Sequence, residues 1–125
     1  MMSLSALATQ FETLERSAGV VLDSAAVLAQ VLAATRFHAG FATLSSQPLG
    51  SEPITGATDV THSEWALIRP LFMLYIERET CLQLEASRGL GLDVFGRSSG
   101  EIAGDITQAE AEYPKRAFYS PVITI

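Results

Sequence analysis

Residues 61–89 read THSEWALIRPLFMLYIERETCLQLEASRG, and this stretch decides the fold. Thr61 and Glu64 stand three apart just ahead of an apolar run. In that T-x-x-E arrangement a hydroxyl and a carboxylate each satisfy a backbone donor at a helix start. Trp65, Ile68, Phe72, Tyr75, Leu82 and Ala86 recur at helical spacing as one stripe, and Leu67, Leu71, Leu74 and Cys81 form a second. A helix apolar on two sides over its first half has to lie between other helices. Pro70 carries no N–H for the carbonyl of Ala66 and crowds it, so a kink or split is expected near Arg69. Gly89 is placed to end the helix.

Upstream, Leu4, Leu7, Phe11, Leu14 and Ala18 follow one another at intervals of 3, 4, 3 and 4, which predicts a first helix stopping at Gly19. The Ala-rich run from Ser24 to about Leu44, with Leu28, Val31, Leu32 and Ala39, predicts a second helix that Gly40 can interrupt. Residues 45–60 hold two Pro, two Gly and several hydroxyls without helical period, and read as a long loop, either a surface loop or a partner contact. Downstream, Ser98 and Glu101 form a second capping box. Ile102, Ile106, Ala109 and Tyr113 then give a short helix one narrow apolar face ending before Pro114. From Lys115 to Ile125, Pro121 and the β-branched residues favour extended backbone. The expected fold is all-α: a small bundle of about four helices over residues 1–114 with a long loop, and an extended C-terminal arm over 115–125.

Composition fits one folded domain of 125 residues, 48% hydrophobic and 18% charged. Eight Lys and Arg against fourteen Asp and Glu leave a net charge of −6, which disfavours binding to phosphate backbones and anionic lipid. Seven of the eight cations are Arg, suited to fixed planar ion pairs. Cys81 alone can form neither an intramolecular disulfide nor a cysteine metal cage, so a reducing compartment is expected. Its position in the second stripe predicts a buried, inert thiol. The first ten residues lack the basic and apolar regions of a signal peptide, and the most apolar segment, 25–34, is too short for a bilayer.

The chemical motifs fail on inspection. Gly91 to Ser98 has P-loop spacing, but Arg97 stands where Lys is required, Asp93 would repel phosphate and a helix precedes the loop. Gly89, Gly91 and Gly96 miss the dinucleotide spacing because Val94 takes the third glycine's place. His62 and Glu64 lie two apart on a helix and point away from one another, and His38 is distant in sequence. Glu77, Arg78, Glu79, Glu85 and Arg88 read as a charged helix face or as intersubunit ion pairs. No catalytic, cofactor-binding or metal-binding residue is expected, and no cofactor. Phe118, Tyr119, Pro121, Val122, Ile123 and Ile125 place apolar surface where chains are normally polar, so either the chain's own domain or another molecule must cover it.

Taken together, Thr61 to Trp65, Ile68-Arg-Pro-Leu71, Leu74-Tyr75, Glu77-Arg-Glu79, Leu84 to Arg88, Asp93 to Ser98 and the ending from Ala117 resemble the head-tail connector, or adaptor, family of tailed bacteriophages over residues 61–125. The resemblance implies a non-enzymatic, mostly helical virion protein. It would assemble in the host cytoplasm as a homo-oligomeric ring, usually a dodecamer, in the neck of the particle. Such a ring binds the portal protein and tail or neck proteins and continues a channel through which DNA passes without sequence-specific binding; no membrane is involved. The 115–125 arm and the 45–60 loop are the expected partner contacts. Arg78, Arg88 and Arg97 against Glu77, Glu85 and Glu101 are the expected intersubunit pairs. The competing readings are another neck or tail-terminator ring protein, and a small cytoplasmic helical enzyme or ligand-binding domain with a pocket near Trp65, Tyr75 and Arg78.

Overall fold

A computed structural model describes residues 1–15, 22–48, 52–88 and 99–123, with the side chains of 1–15, 22–48, 52–86 and 100–115. Its elements are β1 (Met2–Ser3), α1 (Leu4–Gln10), a π-helical turn (Phe11–Glu15), α2 (Ser24–Ala39), β2 (Asp59–Val60), α3 (His62–Arg88) and α4 (Ser99–Ile123). Four α-helices and one two-stranded sheet make the described part an all-α bundle. Each helix packs on the next, α1 on α2, α2 on α3 and α3 on α4.

The helix starts follow the local chemistry. Ser3 accepts from Ala6 N at 3.1 Å and Asp23 from Ala26 N at 2.8 Å. At α3 the capping box closes in both directions: Thr61 N donates to Glu64 Oε1 at 2.8 Å, and Glu64 N to Thr61 Oγ1 at 3.1 Å. Glu64 Oε2 also accepts from Ser45 N at 2.8 Å, so one carboxylate fastens the loop to the helix. The α2 helix ends at Ala39 with Gly40 as its cap, five residues short of the expected end; Leu44 is buried beyond it.

The core joins Leu4, Leu7 and Phe11 to Val27, Val31 and Ala34 of α2, to Ile68, Leu71, Phe72 and Tyr75 of α3, and to Ile102, Ile106 and Tyr113 of α4. Phe11 and Phe72 meet edge to face, ring centres 5.2 Å apart. Cys81 is fully buried, as its stripe predicted. Leu14 is not part of the core: it is 79% exposed, because the wider π turn rotates it off the line of Leu4, Leu7 and Phe11. The expected stop at Gly19 lies outside the described residues.

Two further expectations are corrected, the first in part. Of the kink or split expected at Pro70, the split does not occur: α3 runs unbroken to Arg88. Ala66, Arg69 and Pro70 are exposed, so water can satisfy the carbonyl that Pro70 leaves free. Nor does α4 end before Pro114: its backbone is helical to Ile123, and the described part of the expected extended arm, residues 115–123, is helix. The turn ending at Pro114 is held by tertiary bonds from Glu110 and Tyr113, and tertiary context overrides the local bias of Pro. Ser98, of the second capping box, lies outside the described residues.

The 45–60 loop is tied down along its second half. Its end pairs antiparallel with the N-terminus, Met2 against Val60 and Ser3 against Asp59. Leu4 N donates to Thr58 O at 2.9 Å and Ser5 N to Gly56 O at 3.0 Å. Arg36 Nη2 donates to Ile54 O at 3.2 Å from α2. This close approach explains Gly56, where a Cβ would stand 2.3 Å from Ser5 Oγ.

Candidate functional site

The described polar chemistry concentrates where α2, α3 and α4 meet. His38, in the last turn of α2, is buried, and its Nδ1 lies 2.8 Å from the Tyr113 hydroxyl of α4. Both rings are set by aromatic contacts: Tyr113 meets Phe37 edge to face at 5.4 Å and the His38 ring at 5.7 Å. One turn earlier on α4, Glu110 Oε2 accepts from the Tyr75 hydroxyl of α3 at 2.6 Å. The Arg78 guanidinium stands 4.8 Å from the centre of the Tyr75 ring, and its Nε lies 3.7 Å from Glu79 Oε1.

Burial depresses the His38 imidazole below its ordinary value, opposed by the charge of Glu64. The Tyr75 phenol moves the other way: burial first, then the hydrogen bond and charge of Glu110, raise it far above the ordinary tyrosine range against the pull of Arg78. A neutral imidazole and a firmly protonated phenol make a fastening. Each joins α4 to a different neighbour within one turn, immediately before Pro114.

A shallow, open hollow of about 390 Å³ lies on the 45–60 loop, lined by Ser46, Gln47, Glu52, Pro53, Thr58 and Asp59 among others. Its buried polar groups are engaged in holding the loop: Gln47 Nε2 donates to Pro53 O at 3.3 Å, and Thr58 Oγ1 accepts from Thr55 N at 2.9 Å. Among the described residues no cluster of three or more His, Cys, Asp or Glu could hold a metal ion, and no helix is long and apolar enough to cross a membrane.

Of the expected intersubunit ion-pair residues, Arg78 lies 3.7 Å from Glu79 within the chain. Glu85 Oε1 lies 3.6 Å from the Cys81 thiol, and Glu101 is exposed in the first turn of α4. Arg88 closes α3 with its side chain outside the described part, as is all of Arg97. Phe118, Tyr119, Pro121, Val122 and Ile123 lie on the helical backbone of α4; Ile125 is outside the description. Of the residues named for the alternative pocket, Trp65 lies against Phe72, and Tyr75 is buried under Arg78. The sequence reading missed the His38–Tyr113 contact, because 75 residues separate the partners and no local spacing announces it.

No protein-family model matches the chain, and no curated protein or solved structure is significantly similar to it.

Proposed function

We propose that this chain is a non-enzymatic subunit of a ring that joins the portal of a tailed-phage head to the tail and continues the DNA channel. The observation that carries the reading is the run of α4 beyond its anchor at Tyr113, through a sequence containing Phe118, Tyr119, Val122 and Ile123. A domain of this size has little core in which to hide such a segment, and assembly supplies the missing burial. The polar fastenings before Pro114 suit a body that presents this segment at a fixed place. The 45–60 loop, held by Glu64, Arg36 and the N-terminus, offers a second preformed contact. Repetition around a ring lets individually weak contacts act together. The net charge of −6 suits a conduit, since a negative wall repels the duplex during passage. The resemblance of residues 61–125 to head-tail connectors adds the partners: portal on one side, tail or neck proteins on the other, in the neck of the virion.

The test is assembly on the portal. Purified chain mixed with portal rings of the same phage should co-sediment as a closed ring. Twelve copies of 13.4 kDa would add about 160 kDa to the portal mass. A chain that stays monomeric at high concentration and does not bind the portal refutes the proposal.

A further inference from the structure

We infer that the strip of α3 around Leu82 and Ala86, rimmed by Glu79 and Glu85, is the seat for the basic and apolar end of α4 from a second copy of this chain. The inference rests on the ring reading and names the partner of its terminal segment.

The seat is a core stripe that loses its cover where the buried side of α3 passes to Thr80 and Cys81. Ile68, Tyr75 and Leu82 lie seven apart along one line of α3, the line that packs into the bundle. Ile68 is 0% and Tyr75 5% exposed, yet Leu82 is 43% exposed and Ala86, one turn on, is exposed as well. Glu79, which also lies 3.7 Å from Arg78, and Glu85, which accepts from the Cys81 thiol, flank Leu82 three residues to either side, so carboxylates edge an apolar strip.

The occupant is identified by charge. Residues 1–112 hold six cations and all fourteen acids, a net charge of −8, whereas residues 113–125 hold Lys115 and Arg116 and no acid. The apolar residues that follow those cations match the strip, and the cations match its rim. The segment 89–98 joining α3 to α4 offers no such match, with Asp93 balancing Arg97.

Helical register explains why the occupant comes from another copy. Ile102, Ile106 and Tyr113 are buried and mark the side of α4 that packs on its own bundle. At 100° per residue, positions 118 and 122 stand about 140° and 180° around the axis from Tyr113. The positions on Tyr113's own side, 117 and 120, hold Ala and Ser. On the α4 backbone, positions 118 and 122 therefore fall away from Tyr113's side, while 119 and 123 stand about 120° and 80° from it in the other direction. A segment on one copy seated on a different surface of the next is a head-to-tail contact, the kind that closes rings.

Charge reversal tests the pairing in the full-length chain. Lys115→Glu with Arg116→Glu, and separately Glu79→Lys with Glu85→Lys, should each weaken self-association by about tenfold or more in sedimentation velocity while leaving far-UV circular dichroism unchanged. All four changes in one chain should restore assembly. Should the Glu79→Lys and Glu85→Lys chain fail to fold, Leu82→Gln carries the same expectation of weakened assembly. Either reversed pair assembling like the parent overturns the seat, as does a fourfold variant that stays weak. The connector reading is judged apart, by portal binding of the parent chain: a seat that fails while the parent still forms a ring on the portal leaves that reading intact.

Discussion

Tyr113→Phe isolates the fastening between α2 and α4. The change removes one oxygen and keeps the ring against Phe37, so packing is preserved while the buried Nδ1 of His38 loses the hydroxyl 2.8 Å away. Leaving a buried polar atom unpaired costs about 1–3 kcal/mol. With an unfolding entropy of about 2.1 cal/mol/K per residue over 125 residues, that loss lowers Tm by about 4–11 °C. Urea titration at pH 8, where His38 is neutral in both folded and unfolded chains, reads the cost through the fluorescence of Trp65, the only tryptophan. The partner variant His38→Phe separates the bond from ring packing: with both changes made, the loss should be smaller than the two single losses added, because no polar atom is then stranded. Equal stability of Tyr113→Phe and the parent, or strictly additive losses, would refute the claim that this bond holds α4.

Burial lowers the His38 imidazole in the folded chain, so the unfolded chain binds a proton first as pH falls. Stability from this group is fully present above about 6.5, the ordinary histidine value, and declines below it. Urea midpoints between pH 5 and 8 should show this slope in the parent and a shallower one in His38→Phe; identical slopes would count against it. Glu64→Ala opens the capping box and frees Ser45 N, and should cost about 0.5–2 kcal/mol in the same titration, with faster amide exchange at Ser45. An Ala at position 56 should force the Ser5 hydroxyl aside at a cost of about 0.5–1.5 kcal/mol, and adding Ser5→Ala should recover most of it. No recovery would place the cost in the backbone instead.

Most of the bundle could be read from local chemistry. The Thr61–Glu64 box, the Gly40 cap, the burial of Cys81 and the Ile102, Ile106, Tyr113 face are short-range patterns, and the folded chain keeps them. What escaped the sequence depends on the third dimension. Leu14 continues an ideal α-helical stripe, but the π turn at Phe11–Glu15 changes the register, and periodicity alone does not see such a turn. Pro114 carries a local bias against helix, and only the contacts of Glu110 and Tyr113 with distant residues show what opposes that bias. Leu82 belongs to the core stripe by spacing and yet is exposed, because at this level of α3 the buried side is the one that carries Thr80 and Cys81. The loop displayed its Gly and Pro content openly, while its pairing with Met2 and Ser3 joins residues nearly sixty apart.

A reconstruction of the virion neck decides whether this chain is a connector subunit. It should show a closed ring of this chain between portal and tail, with the end of each α4 lying along the Leu82 strip of its neighbour. A neck that lacks the chain, or a ring in which every α4 end folds back on its own protomer, would contradict it.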